Sequence, residues 1–148
     1  MLRALLRNGA QRAAIGMIVD PEAVKTIHAA GQGQRLRVAI GDNSGIPDDE
    51  PFEAEFLIEK ICDGKFDATG PYYHGFHLDV GPSACLKIDG VRIVVASHKV
   101  QMADQAMFRF AGIETTEQDI LVVKSAVHFR APIAHEIIVG ARPPAPCR

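Results

Sequence analysis

Ala84-Cys-Leu-Lys-Ile-Asp89-Gly90-Val91-Arg-Ile-Val-Val-Ala96 is the stretch that decides the fold class. Ala84, Leu86 and Ile88 alternate with less apolar positions, Asp89-Gly90 breaks the run, and a β-branched segment follows. Asp-Gly between two such segments predicts a hairpin, because its tight turn needs positive φ where these residues tolerate it. Working upstream, Phe52, Ala54, Phe56 and Ile58 alternate with Glu53, Glu55 and Glu59, the period-2 pattern of a half-buried strand. A second dipeptide, Asp63-Gly64, predicts a two-residue hairpin from this strand into Lys65–Ala68. Phe76, Leu78 and Val80 repeat the alternation until Gly81-Pro82.

The first part of the chain mixes helix and strand. Ala13–Val19 reads as an apolar strand, and Leu36–Ile40 as another. Between them Asp20-Pro21-Glu22 opens a helix: Asp20 can cap it, Pro21 suits its first position, and Glu22 complements the positive helix end. Gly31 ends it. Met1–Asn8 reads as a short helix with Leu2, Leu5 and Leu6 on one face. It starts without a cap, so its leucine face is expected to be a surface for self-association or for another domain. Asp104 caps a further helix that reaches Phe110 and ends at Gly112. Strands at Ile120–Val123 and Glu136–Val139 follow. The sum is an α/β chain of the α+β type: a mixed, mostly antiparallel sheet with two hairpins and a few flanking helices. Residues 1–140 make one domain, and the Pro-rich tail 141–148 is expected to be poorly ordered.

Composition narrows the function classes. At 148 residues, one domain buries roughly 70% of its unfolded-chain surface and needs no staple. Lys plus Arg number 16 against 18 Asp plus Glu, a net charge of −2, so a nucleic-acid surface is not expected. With no Trp and 6% aromatic residues, neither is a base-stacking platform. No apolar run approaches the ~18 residues of a membrane span. Cys62, Cys85 and Cys147 are odd in number and form no CxxC pair, which argues against a disulfide framework or structural zinc. They suit a reducing compartment, and a cytoplasmic location is expected. The basic, acid-free residues 1–19 resemble a transit peptide superficially, but they run unbroken into the Ile15–Val19 strand and read as part of the fold.

No complete active site is legible. His74 and His77 are three apart and fall on opposite faces of a strand. His77 and Asp79 share a face and could pair. His28 lies on a helix, His98 after a strand, and His135 near the C-terminus; there is no HExxH. Ser83 and Ser125 lack a GxSxG elbow, and Gly31-Gln-Gly33, Gly41 and Gly45 form no GxGxxG or P-loop. The chemistry-bearing stretch is Ile120-Leu-Val-Val-Lys124-Ser125-Ala-Val-His128-Phe-Arg130. Four apolar residues read as a buried strand, and three basic groups and a hydroxyl follow it. Open α/β sheets place ligands at such strand ends. Lys124, Ser125, His128 and Arg130 are therefore the candidate substrate-binding residues. The alternative is two solvated charges and a structural histidine.

Several stretches together resemble a known family. They are Ile15-Gly-Met-Ile-Val-Asp-Pro-Glu-Ala-Val24, Ala29-Ala-Gly-Gln-Gly33, Asp63-Gly-Lys-Phe66 with Thr69-Gly-Pro71, Leu78-Asp-Val-Gly-Pro82 and Gly90-Val-Arg-Ile-Val-Val95. Gln101, Asp104, Phe108, Gly112-Ile113 and the string Val123-Lys-Ser-Ala-Val-His-Phe-Arg-Ala131 complete the set. Their order resembles the C-terminal domain of MlrC-like (microcystinase C) proteins over residues 1–131, with Pro132 onward departing from the pattern. The resemblance implies part of a larger zinc metallopeptidase, of a kind named for cleaving the linearised peptide toxin microcystin. It implies that zinc and its ligands belong to a separate N-terminal domain, the expected partner, with no catalytic or metal-binding residue in this chain. Lys124, Ser125, His128 and Arg130 would then line the interdomain cleft, and the chain alone would be inactive. Homo-oligomers also fit. The alternative is a stand-alone small-anion-binding or assembly domain.

Overall fold

The computed structural model describes residues 1–41 and 50–123. In chain order these form α1 (Leu2–Arg7), β1 (Ala13–Val19), α2 (Pro21–Ala30), β2 (Arg35–Ile40), β3 (Phe52–Cys62), β4 (Lys65–Asp67), β5 (His77–Asp79), β6 (Ser83–Ile88), β7 (Val91–Ala96), α3 (Ala106–Arg109), a 3-10 turn at Thr115–Glu117, and β8 (Ile120–Val123). Six strands make the main sheet in the order β2-β3-β6-β7-β1-β8, and β4-β5 form a small second sheet. The pairs β2-β3, β3-β6, β6-β7 and β4-β5 are antiparallel, whereas β1 runs parallel to both β7 and β8. This is the mixed, mostly antiparallel α+β architecture that the sequence predicts.

Alternation along the strands divides the core in two. On one face Ile15, Val38, Phe56, Ile58, Leu86, Ile93 and Val95 pack under α2, which contributes Ala23, Val24 and Ile27. On the other, Ala14, Met17, Cys85, Val94 and Ala96 pack under α3 and its flanks, through Met102, Met107, Phe108 and Ile113. The small sheet closes this second face, and Phe66 stacks on Phe110 with ring centroids 4.6 Å apart. Each fully buried side chain of this size contributes about 1.5–3 kcal/mol from removal of apolar area from water.

Three local expectations are corrected. Asp89-Gly90 makes its hairpin, with Asp89 at φ 50° and β6 paired to β7 throughout. Asp63-Gly64 does not: β3 pairs with β2 and β6, and β4 pairs with β5 instead. Gly64 lies too close to Gly81 for the chain to fold back on β3. Its carbonyl accepts the Val80 N–H at 2.9 Å, which sends β4 into the second sheet. Second, the leucine face of α1 is not free. Leu2 is buried, and Leu5 and Leu6 pack against the same core as α2. Third, β8 is not a buried strand: Ile120 is 39% exposed and the rest are half-buried, at the edge of the described sheet. The second strand predicted near the C-terminus and the tail 141–148 lie outside the described residues. Among the described residues no helix is long and apolar enough to cross a membrane.

Candidate functional site

β1 and β7 are neighbours and parallel, yet the chain leaves them in opposite directions. After β1 it enters α2 on one face; after β7 it enters α3 on the other. In open sheets, the edge beyond the carboxyl ends of two strands that diverge in this way is the general ligand position. β8 runs parallel beside β1, with Val123 opposite Gly16, so its carboxyl end points to the same edge.

The described residues at this edge are polar and tightly tied. Asp20, at the end of β1, is 3% exposed, and its N–H donates to the Ala96 carbonyl at 2.9 Å. Its carboxylate accepts from Ala23 N–H and from Gly41 N–H, each at 3.0 Å. The first bond is the helix cap expected from Asp20-Pro21. The second, across 21 residues, fastens the end of β2 to the same point. Ser97 donates through Oγ to the Pro82 carbonyl at 2.6 Å, and Ser83 to the Gly81 carbonyl at 2.7 Å. His28 on α2 sits 2.9 Å through Nε2 from the Ser83 carbonyl, which only an N–H can satisfy. The His98 backbone N–H donates to Val80 O, and its side chain, like that of Lys99, is exposed. Asp20→Ala should therefore cost about 2 kcal/mol, the upper range for a lost cap plus an orphaned N–H. That lowers the melting temperature of a chain of this size by about 4–8 °C. Thermal unfolding of Asp20→Ala and Asp20→Asn checks it, and Asn should retain part of the loss because it keeps one acceptor oxygen.

The rest of the described polar chemistry is structural. Glu59 holds Arg92 at 2.7 Å and Lys87 at 3.7 Å on the sheet face, and its hydrogen bond is the main cause raising the Arg92 pKa. Lys60 donates to the Phe110 carbonyl at 2.8 Å, where the last carbonyls after α3 need a donor. His77 does not pair with Asp79. It meets Asp67 at 2.8 Å across β4-β5, while Asp79 accepts the Gly81 N–H. Sequence spacing identified the shared face but not the cross-strand neighbour, which register decides.

The two described thiols, Cys62 and Cys85, are buried and unpaired with each other. Burial, and then the Glu59 carboxylate, pushes Cys85 up to about 12, and burial also raises Cys62. In the unfolded chain the thiol titrates near 9.0, so above that pH the unfolded state loses a proton that the folded state keeps. Stability from this group is complete below pH 9 and falls as pH rises towards 12, by about 1.4 kcal/mol at pH 10. Cys62 acts in the same sense. Urea melts between pH 8 and 10.5 should show this slope, flattened in Cys85→Ala.

Lys124, Ser125, His128 and Arg130 lie outside the described residues, as do His135 and Cys147. The described groups nearest that edge, Asp20, Ser97 and His98, were legible only as a helix cap and loop residues. Their grouping depends on a crossover to opposite faces, which no local pattern encodes. A zinc ion does not fit the described residues. No group of three or more His, Cys, Asp or Glu among them could hold a metal. The two buried carboxylates, Asp20 and Asp104, already accept backbone N–H bonds with both oxygens.

Comparison with known proteins gives this edge a context. Residues 1–144 match the family model for the MlrC C-terminus. The match extends past Ala131, so Pro132 onward is not the departure expected from the residues. Microcystinase C of Sphingomonas sp. is 30% identical over 134 residues, covering 88% of this chain and 25% of that protein. The crystal structure of the Mesorhizobium sp. BNC1 protein named "Putative metallopeptidase" superposes with a TM-score of 0.81 at 26% identity, covering 90% of this chain and 27% of that one. The chain thus spans about a quarter of the length of both relatives. The chain belongs to the MlrC C-terminus family.

Proposed function

We propose that the chain is the C-terminal module of an MlrC-like zinc metallopeptidase of the microcystin-degrading type, cytoplasmic, and that it forms one wall of the substrate cleft. The observation that carries the reading is the divergence of the chain to opposite faces at the carboxyl ends of the parallel strands β1 and β7, the edge to which β8 also points. Family membership and the coverage of a quarter of each relative support the division of labour. The N-terminal domain of the family protein holds zinc and generates the nucleophile, and this module orients the peptide. Lys124, Ser125, His128 and Arg130 follow β8 directly in sequence and supply hydrogen-bond donors to a substrate carboxylate or to the developing oxyanion.

The test is a chimera in which this chain replaces the matching quarter of the Sphingomonas microcystinase C. With zinc bound it should hydrolyse a linear peptide substrate, and His128→Ala should lower kcat by about 100-fold, the scale of a lost oxyanion donor, while raising KM less. A change confined to KM restricts His128 to ground-state binding. Unchanged kinetics in His128→Ala and Arg130→Ala would remove this edge from the cleft.

A further inference from the structure

His98 stands two residues past the end of β7, and its side chain is exposed. Three contacts nevertheless fix it. Its backbone N–H donates to Val80 O at 2.8 Å, and the preceding Ser97 is tied through Oγ to the Pro82 carbonyl at 2.6 Å. The third contact is the ring itself, which lies on Gly81. A Cβ added to Gly81 would come within 2.9 Å of His98 Cε1 and 3.0 Å of His98 Nδ1. Glycine leaves room for the ring, and Gly81 also has φ +69°, which L side chains rarely adopt. That bed is held in turn: Gly81 N–H donates to Asp79 Oδ1 at 2.8 Å, and Gly81 O accepts Ser83 Oγ at 2.7 Å.

A neutral imidazole offers one donor and one acceptor. No hydrogen bond with another described residue occupies either ring nitrogen of His98, whereas His28 spends Nε2 on the Ser83 carbonyl at 2.9 Å. The place of His98 in the sheet is set by contacts. Ala96 ends β7, and its carbonyl accepts the Asp20 N–H from the end of β1 at 2.9 Å. His98 therefore belongs to the edge at which the parallel strands β1 and β7 end and to which β8 points. Only β1 separates β7 from β8, a lateral distance of about 10 Å at the usual strand spacing. An extended peptide covers that distance with about three residues.

We propose that His98 is a substrate-contacting residue, its imidazole hydrogen-bonding the backbone of a linear peptide bound across this edge. The proposal rests on the module reading above and deepens it, by adding a residue after β7 to the candidates that follow β8. A side chain already fixed on Gly81 has little freedom left to lose when it binds. A contact to the peptide backbone away from the reacting bond holds ground state and transition state alike. Its loss raises KM and leaves kcat in place.

The experiment measures hydrolysis of linearised microcystin by the zinc-loaded chimera described above, unsubstituted and with two changes at position 98. His98→Phe keeps an aromatic ring on Gly81 and removes both nitrogens, and His98→Ala removes ring and nitrogens together. Both should raise KM about 10-fold with kcat within ~2-fold, the scale of one lost hydrogen bond. A KM raised by His98→Ala but not by His98→Phe would reduce the ring to packing on Gly81 and overturn the proposal. Unchanged KM in both variants would also overturn it, while turnover by the unsubstituted chimera would leave the module reading standing. An unsubstituted chimera without turnover would overturn the module reading and this proposal with it.

Discussion

Gly64→Ala should lower the stability of the chain by about 3 kcal/mol or more, through two costs that add. Gly64 has φ +80°, where an L side chain costs roughly 1–2 kcal/mol. A Cβ there would also collide with the Gly81 carbonyl, and a backbone group cannot swing aside as a side-chain end can. Overpacking of that kind costs about 1–3 kcal/mol. Gly31 and Gly33, at φ +95° and +85°, have nothing within 4 Å of the same added atom. Gly31→Ala and Gly33→Ala should show the conformational cost alone, roughly 1–3 kcal/mol. Urea denaturation of the three variants separates the terms, and a Gly64→Ala loss no larger than the other two would refute the close approach of the β3-β4 and β5-β6 junctions.

Asp104→Ala should be nearly as damaging, at about 3 kcal/mol, because it orphans two backbone donors at once. The carboxylate accepts Ala106 N–H at 2.8 Å and Gly70 N–H at 2.6 Å, joining the start of α3 to the β4-β5 loop. Asp104→Asn keeps one acceptor oxygen and should lose about half as much. Hydrogen exchange adds a positional readout: amides of Ala68 and Phe76 should exchange faster in Asp104→Ala even below the unfolding transition. Unchanged exchange there would mean that the loop holds its shape without the anchor, and the role given to Asp104 would fail.

What the sequence reveals depends on how local the determinant is. The β6-β7 hairpin is written in Asp89-Gly90 and the alternation around it, and the α2 cap in Asp20-Pro21. The Asp63-Gly64 dipeptide carries the same signal, yet the turn is used differently because β3 finds β6 across 20 residues or more. Partner choice is a tertiary property, and the dipeptide supplies only the positive φ. The second oxygen of Asp20 and both oxygens of Asp104 reach partners that no spacing rule anticipates. The divergence of the chain after β1 and β7 is legible only after the sheet order is known, since α2 and α3 must be assigned to opposite faces. Family membership was legible in Ile15–Val24 and Val123–Ala131, although the match continues to residue 144.

The central claim is a division of labour, in which this chain orients substrate and another domain generates the nucleophile. Among the described residues Ser83 and Ser97 donate to backbone carbonyls, not to a base, and Cys85 remains a thiol up to about pH 12. Charge-stabilising donors alone do not activate water, a task zinc performs by lowering the water pKa to about 7. The most direct measurement is peptide hydrolysis by the 148-residue chain by itself, assayed with added zinc at neutral pH. The account predicts no turnover above the uncatalysed rate, and zinc-dependent turnover by this chain alone would contradict it.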